Sequence, residues 1–89
     1  MSSRYGIQVK GSAQRGLRLL PARVRVELVR AIDALAENPR PVGTKKLAGQ
    51  ELYRLRVAGR YRIVWQVDDR ARTVIVARAG HRRDVYRGL

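Results

Sequence analysis

The sequence predicts an α+β fold. Two helices in the N-terminal half pack on one face of a mostly antiparallel four-stranded sheet, in the order β-α-α-β-β-β. Three observations predict it. The 89 residues leave room for one hydrophobic core, so residues 1–89 should form a single domain. The apolar fraction of 45% is normal for a globular chain. Apolar residues recur first at strand spacing, then at helix spacing, then again at strand spacing.

The first strand and the first helix are predicted from the N-terminal twenty residues. RYGIQVK, at 4–10, alternates apolar and polar side chains, which is typical of a half-buried strand. A short helix over 12–20 follows, with Ser12 as its expected N-cap. Gly16 lies inside this helix, where glycine costs about 1 kcal/mol relative to alanine.

The second helix is predicted to begin at Pro21, whose missing N–H does no harm in the first turn. Its apolar stripe consists of Val24, Leu28, Ala31, Ile32 and Leu35. The helix should end before Asn38-Pro39, because the residue before proline disfavours the α region. Residues 38–51 are expected to form a loop.

Three strands are predicted in the C-terminal half, at 52–57, 61–67 and 72–79. The first two flank a three-residue hairpin loop, Ala58-Gly59-Arg60. If Val57 pairs with Tyr61 across this loop, Arg56 lies directly opposite Arg62. Like charges in that position destabilise a sheet by up to roughly 1 kcal/mol.

Charge is the strongest global signal. Twenty basic residues, 17 of them arginine, face seven acidic ones, giving a net charge of +13. Arg54, Arg56 and Arg62 share the outer sheet face in the predicted register, and no carboxylate lies among them. Arginine grips phosphate through two parallel hydrogen bonds. The charge therefore indicates a polyanionic partner, either a nucleic acid or an acidic protein.

Composition also excludes several classes. No apolar run approaches the roughly 20 residues that span a bilayer, and the first residues lack the apolar region of a signal peptide. We therefore expect a cytoplasmic protein without a membrane partner. The chain has no cysteine and one histidine, so neither thiol chemistry nor a structural zinc site is expected, and no cofactor.

The C-terminal segment GHRRDVY adds groups able to transfer protons. RNA cleavage without a metal needs a base for the ribose 2′-OH, a cation beside the phosphate and an acid for the leaving oxygen. His81, placed just after the last predicted strand, and Tyr86 are the candidates for proton transfer. His81 could equally be a surface or core residue, and Tyr86 could cap the core beside Val85. These patterns alone indicate a basic, anion-binding α+β domain.

Residues 44–86 resemble the RelE/ParE toxin superfamily of bacterial type II toxin–antitoxin systems, on the RelE side. TKKLAG, LYRLRVAGRYRIVWQV, the Asp68-Asp69 turn and GHRRDVY carry the resemblance, and AIDALAENPRP extends it over nearly the whole chain. It implies a metal-independent endoribonuclease that cuts mRNA in the ribosomal A site. It also implies an acidic RelB-like antitoxin, and operator DNA contacted only through the antitoxin complex.

The resemblance implies active-site roles for Arg54, Arg56, Arg62, Arg82 and Tyr86. Well-studied members carry lysines at the first two positions, and arginine is a poor general base. We therefore predict that His81 or Tyr86 transfers protons while the arginines hold the phosphate. A purely electrostatic role for the arginines with a weaker base, or low activity, are the alternatives. Further RNA contacts are expected from Lys45, Lys46, Arg60 and Arg83.

Two other functions fit the same sequence. A ParE-like toxin would inhibit gyrase by binding, without catalysis. A basic nucleic-acid-binding domain would have neither a toxin role nor an antitoxin.

Overall fold

A computed structural model describes residues 4–87 of the chain. The helices are α1 (Gly11–Arg18) and α2 (Ala22–Ala34). The strands are β1 (Gly6–Val9), β2 (Lys45–Lys46), β3 (Tyr53–Val57), β4 (Tyr61–Asp68) and β5 (Thr73–His81). The predicted α+β class and both predicted helices are confirmed. Within residues 4–87, no helix is both long and apolar enough to cross a membrane.

The sheet has five strands in the order β1-β5-β4-β3-β2. Strand β1 runs parallel to β5, while the other neighbours are antiparallel. The prediction of four strands was therefore wrong, because Lys45–Lys46 forms a short edge strand inside the predicted loop. A strand of two residues is too short to show the alternation of apolar and polar side chains from which a strand is predicted. It forms because its residues pair with Tyr53 and Arg54, and the Leu47 N–H closes the turn on the Leu52 carbonyl at 2.8 Å.

The hydrophobic core lies between the two helices and one face of the sheet. Trp65 is the largest fully buried side chain, and its indole Nε1 donates to the Pro39 carbonyl at 2.9 Å. This bond holds the chain that leaves α2 against the sheet. The other core residues are Ala13, Leu28, Ile32, Leu35, Ile63, Val74, Val76 and Ala79.

Helix α1 covers the part of β5 that β1 leaves open. Ser12 was predicted as the N-cap, but the cap is Lys10, without a side-chain hydrogen bond. The Ser12 hydroxyl donates instead to the Ala77 carbonyl on β5 at 2.7 Å. About one turn further along the same helix, a Cβ on Gly16 would overlap the Ala79 carbonyl oxygen. Gly16 therefore permits a close helix–strand approach, at a position where local propensity favours alanine.

A β-bulge interrupts the pairing of β4 with β5. Val64 pairs with Arg78 while the next residue, Trp65, pairs with Val76, so Ala77 is the extra residue. An extra residue reverses the alternation of side chains beyond it. Val76 and Ala79 therefore both face the core, and Arg78 faces the opposite side of the sheet.

Candidate nucleic-acid interface

The predicted hairpin register is confirmed. Arg56 lies opposite Arg62, and Arg54 lies opposite Val64. Directly opposed side chains share a face, so the three arginines lie together on the side of the sheet away from the helices. None of them forms an ion pair with any residue in the range 4–87. We call this surface the arginine face.

Arg62 is the most informative residue of the arginine face. Its exposed fraction is only 9%, and its Nη1 donates to one neutral acceptor, the Tyr61 carbonyl, at 3.3 Å. Its two cross-strand neighbours are Arg56 and Gly80, neither of which supplies an anion. A buried charge without a counterion is costly, by several kcal/mol. A bound phosphate would supply the missing negative charge.

The bulge adds Arg78 to the arginine face, in the same cross-strand row as Arg54. Its Nη1 donates to the Ser12 hydroxyl and the Ala77 carbonyl, both at 2.9 Å, and its Nε donates to the Arg87 carbonyl at 3.4 Å. Arg78 thus joins β5, α1 and the C-terminal segment. Sequence reasoning missed it. The available signal was an arginine inside an otherwise apolar strand, but simple alternation assigns it to the core side.

The same bulge places His81 away from the arginine face. His81 is the last residue of β5, not a residue beyond the strand as predicted. It pairs with Tyr61, and the two rings meet edge to face at 5.6 Å between centroids. Tyr61 packs against the hydrophobic core, so His81 lies on the helix side of the sheet. There it lines a cavity of about 320 Å³ together with Leu20, and Arg78 and Asp84 also border this cavity. The His81 Nδ1 accepts from the Arg83 N–H at 3.2 Å, which ties His81 to the C-terminal segment.

The C-terminal segment from residue 82 to 87 closes one end of the arginine face. The Arg82 N–H donates to the Arg60 carbonyl at 2.8 Å, which fixes the segment beside the hairpin loop. Val85 is buried, and a Cβ on Gly80 would lie 3.8 Å from its Cγ1. Tyr86 is 38% exposed, so Val85, rather than Tyr86, caps the interior. Val85 thus packs beside Gly80, the residue that pairs with Arg62.

The four predicted RNA-contact residues lie in three places. Lys45 pairs with Arg54 and extends the arginine face to the sheet edge. Lys46 pairs with Tyr53 on the helix side, and its Nζ lies 3.5 Å from Glu51 Oε2. Arg83 is exposed within the C-terminal segment, and Arg60 is exposed in the hairpin loop beside it. Lys46 is therefore separated from the arginines that the structure brings together.

A second polar cluster holds the opposite end of the sheet. Arg40 donates to both Asp69 carboxylate oxygens, at 3.3 and 2.9 Å, and its Nε donates to the Tyr53 hydroxyl at 3.1 Å. The Tyr5 hydroxyl donates to Asp69 Oδ1 at 2.7 Å. The hydrogen bonds from Arg40, and after them the one from Tyr5, lower the pKa of Asp69. The hydrogen bond to Asp69 in turn raises the pKa of the Tyr5 hydroxyl. The cluster ties the residue before β1, strand β3, the loop after α2 and the β4–β5 turn together.

Comparison with known proteins agrees with this architecture. A two-helix α+β domain with this sheet is found in the RelE toxins. The isolated E. coli RelE toxin has a TM-score of 0.75 and 27% identity, covering 86% of this chain and 83% of that one. The M. tuberculosis RelBE2 toxin–antitoxin complex has a TM-score of 0.78 and 28% identity, covering 91% and 94%.

Sequence relatives define the family. Residues 7–86 match the profile of the ParE toxin of type II toxin–antitoxin systems (parDE). Toxin RelG of M. tuberculosis is 34% identical over 87 residues, which cover 93% of this chain and 97% of the relative. The chain therefore belongs to the ParE toxin family, within the RelE/ParE superfamily, and is a toxin of a type II toxin–antitoxin system.

Proposed function

We propose that this toxin is a ribosome-dependent mRNA endoribonuclease and that the arginine face is its active surface. The observation that carries the proposal is Arg62, a guanidinium that is nine-tenths buried without a carboxylate partner. Its cost to stability is explained if its function is to hold a phosphate. The RelE relatives support a nuclease, and the arginine face supports RNA as the substrate.

In the proposed reaction the ribose 2′-oxygen attacks the neighbouring phosphorus and the bond from phosphorus to the 5′-oxygen breaks. The products are a 2′,3′-cyclic phosphate and a 5′-hydroxyl. Arg62 and Arg56, paired across the strands, stabilise the charge that grows on the non-bridging oxygens. Arg54 and Arg82 orient the flanking backbone. The step uses no cofactor.

Tyr86 is the proposed proton carrier, since it is exposed in the C-terminal segment that begins beside the hairpin loop, whereas His81 pairs with Tyr61, a residue of the core side of the sheet. Its ring can also stack on the target base, as aromatic residues do on unstacked RNA bases. Arginine cannot act as the base, because a guanidinium is not deprotonated in proteins.

The proposed partners follow from this activity. The toxin acts in the cytoplasm on mRNA in the ribosomal A site and is neutralised by an acidic RelB-like antitoxin. Two of the similar structures, the M. tuberculosis RelBE2 and the E. coli RelBE complexes, contain an antitoxin, which supports such a partner for this chain. Contact with operator DNA is proposed only through the antitoxin complex.

The direct test is single-turnover cleavage of mRNA on programmed ribosomes. We expect Arg62→Gln to slow cleavage by about 10²- to 10³-fold, the usual loss when one transition-state donor is removed. Arg70→Gln is the matched control, because Arg70 is exposed in the turn after β4. Full activity of Arg62→Gln would exclude the arginine face as the active surface.

The match to the ParE profile supports one alternative, a toxin that binds gyrase without catalysis. Inhibition of supercoiling by purified gyrase, together with intact mRNA on ribosomes, would establish it. Cleavage with unaffected supercoiling would establish the nuclease.

A further inference from the structure

Arg78 connects the C-terminal segment, residues 82–87, to the rest of the fold. Its Nε donates to the Arg87 carbonyl at 3.4 Å, while its Nη1 donates to the Ser12 hydroxyl and the Ala77 carbonyl, both at 2.9 Å. One planar guanidinium therefore bonds to three separate parts of the chain, which are the C-terminal segment, helix α1 and strand β5. A lysine ammonium, which is a compact charge on a flexible stem, cannot reproduce this fork of donors.

The edge of β5 and the bulge together fix the Arg78 side chain. Strand β1 pairs with β5 only as far as Val76, so within residues 4–87 the β5 edge beyond that residue has no strand neighbour on this side. The Ala77 carbonyl, at the bulge, accepts from the Ser12 hydroxyl at 2.7 Å as well as from Arg78. Ser12 and Arg78 are thus bonded to each other and to one shared acceptor, and this triangle holds the guanidinium in place.

Tyr86 lies between two anchored residues. Val85, before it, is 2% exposed, and Arg87, after it, supplies the carbonyl that Arg78 binds. The Tyr86 side chain is exposed, and its hydroxyl has no hydrogen-bond partner among residues 4–87. The Tyr86 hydroxyl is therefore positioned by the backbone on either side of it rather than by a hydrogen bond of its own.

The two ends of the C-terminal segment are held differently. At its start, the Arg82 N–H donates to the Arg60 carbonyl of the hairpin loop at 2.8 Å. At its end, the N–H and the guanidinium of Arg87 both contact Asp84, which belongs to the segment itself. Among residues 4–87, the hydrogen bond from Arg78 is therefore the one that ties the end of the segment to another part of the fold.

We propose that Arg78 is a positioning residue for RNA cleavage, which fixes the backbone after Tyr86 and so holds the tyrosine hydroxyl in place for proton transfer. The inference rests on the proposed nuclease activity. Proton transfer requires the two heavy atoms to lie within hydrogen-bond reach. A displacement of about 1 Å, caused by a mutation away from the chemistry, can slow an enzyme about 10²-fold.

The hydrogen bonds of Arg78 favour this role over direct binding of phosphate. Arg78 shares a cross-strand row with Arg54 on the arginine face, so its charge alone would suggest a phosphate contact. Arginine grips phosphate through two parallel donors, which are either Nε with Nη2 or Nη1 with Nη2. In Arg78, one donor of each pair is already bonded within the chain.

Two variants weaken the connection and keep the net charge of the toxin. Arg78→Lys removes the planar fork of donors. Ser12→Ala removes the hydroxyl that binds Nη1 and leaves the arginine itself in place, so it serves as a second test if Arg78→Lys does not fold. Arg70→Lys, in the exposed turn after β4, is the matched control. Circular dichroism checks that each variant is folded.

The first measurement is single-turnover cleavage on programmed ribosomes over a range of toxin concentrations. We expect Arg78→Lys to lower the maximal rate about tenfold and Ser12→Ala about threefold, while the half-saturating toxin concentration stays within about twofold. Arg70→Lys should leave both quantities unchanged. In a Tyr86→Phe background, Arg78→Lys should slow cleavage by less than a further factor of about two, because the hydroxyl that it positions is absent.

The second measurement is nitrogen-15 relaxation of the labelled toxin, which needs no cleavage. Backbone order parameters are about 0.85 in rigid segments and below about 0.6 in flexible ones. We expect the amides of Tyr86 and Arg87 to be rigid in the unaltered toxin and flexible in Arg78→Lys. The amide of Arg82 should stay rigid in both, because its bond to the hairpin loop is unaffected.

The contrary results have different meanings. Unchanged order parameters in Arg78→Lys, or an unchanged maximal rate in both variants, would overturn the proposal. An equal loss from Arg78→Lys with and without the Tyr86 hydroxyl, together with a raised half-saturating concentration, would make Arg78 a phosphate contact instead. Absence of cleavage by the unaltered toxin would refute the nuclease itself, whereas equal cleavage by the unaltered toxin and Arg78→Lys would refute only the positioning role.

Discussion

Replacing Arg62 by methionine should make the protein more stable and less active at once. Arg62 is 9% exposed, and its guanidinium has one neutral hydrogen-bond acceptor. Methionine fills most of the space of the arginine stem without bringing a charge into the interior. The substitution therefore separates what the fold requires at this position from what function requires.

The size of the effect follows from three contributions. Removing the opposition to Arg56 relieves up to about 1 kcal/mol of cross-strand repulsion. Removing an unpaired, largely desolvated charge relieves about 2–3 kcal/mol. Losing the hydrogen bond to the Tyr61 carbonyl costs about 1.5 kcal/mol. The expected net gain is about 2 kcal/mol, equivalent to a rise in Tm of roughly 8–16 °C for a domain of this size.

Thermal unfolding by circular dichroism measures the gain, and cleavage on programmed ribosomes measures the accompanying loss. Arg56→Met is the control, because it removes the same cross-strand repulsion at an exposed position. It should gain at most about 1 kcal/mol. A lower Tm for Arg62→Met than for the unaltered protein would refute the reasoning, since Arg62 would then have a stabilising partner in the free protein.

Three further predictions concern other parts of the molecule. Gly16→Ala should lower the free energy of unfolding in urea by about 1–3 kcal/mol, although alanine has the higher helix propensity. Gly11→Ala is the control and should not destabilise the fold, because its Cβ would meet only the Arg15 side chain, at 3.5 Å. The rate of single-turnover cleavage should fall about 10²- to 10⁴-fold in Tyr86→Phe and less than about threefold in His81→Gln. Asp69→Asn should make the free energy of unfolding less dependent on pH in the acid range. Because the pKa of Asp69 is lowered in the folded state, its carboxylate stabilises the fold above pH 3.8, the ordinary pKa, and this stability is lost as the pH falls through the folded-state pKa.

Each of these has a distinct contrary result. A Gly16→Ala protein as stable as the unaltered one would mean that α1 can move off β5 without cost. Slow cleavage by His81→Gln with normal cleavage by Tyr86→Phe would show that His81, on the helix side of the sheet, transfers the proton instead of Tyr86. An Asp69→Asn protein with an unchanged acid transition would show that the Arg40 contact adds nothing to folding.

The sequence by itself determined the elements with strong periodicity and the hairpin between them. The stripe of α2 and the alternation of β3 and β4 fix which side chains face the core. The loop length fixes the register, so Arg56 opposite Arg62 was predictable from local rules. The net charge of +13 indicates a polyanionic partner from composition alone. The hairpin and the helix stripe depend on residues close together in the chain.

Only the tertiary structure decided which residues join the arginine face from β5. The bulge at Ala77 places Arg78 on that face and His81 on the other, the reverse of what simple alternation predicts. No local pattern marks this bulge. Residues distant in sequence surround it, because Ser12 bonds to the Ala77 carbonyl and Gly16 lets α1 approach Ala79. A single extra residue inverts every side chain beyond it, so the composition of the site depended on contacts that span more than sixty residues.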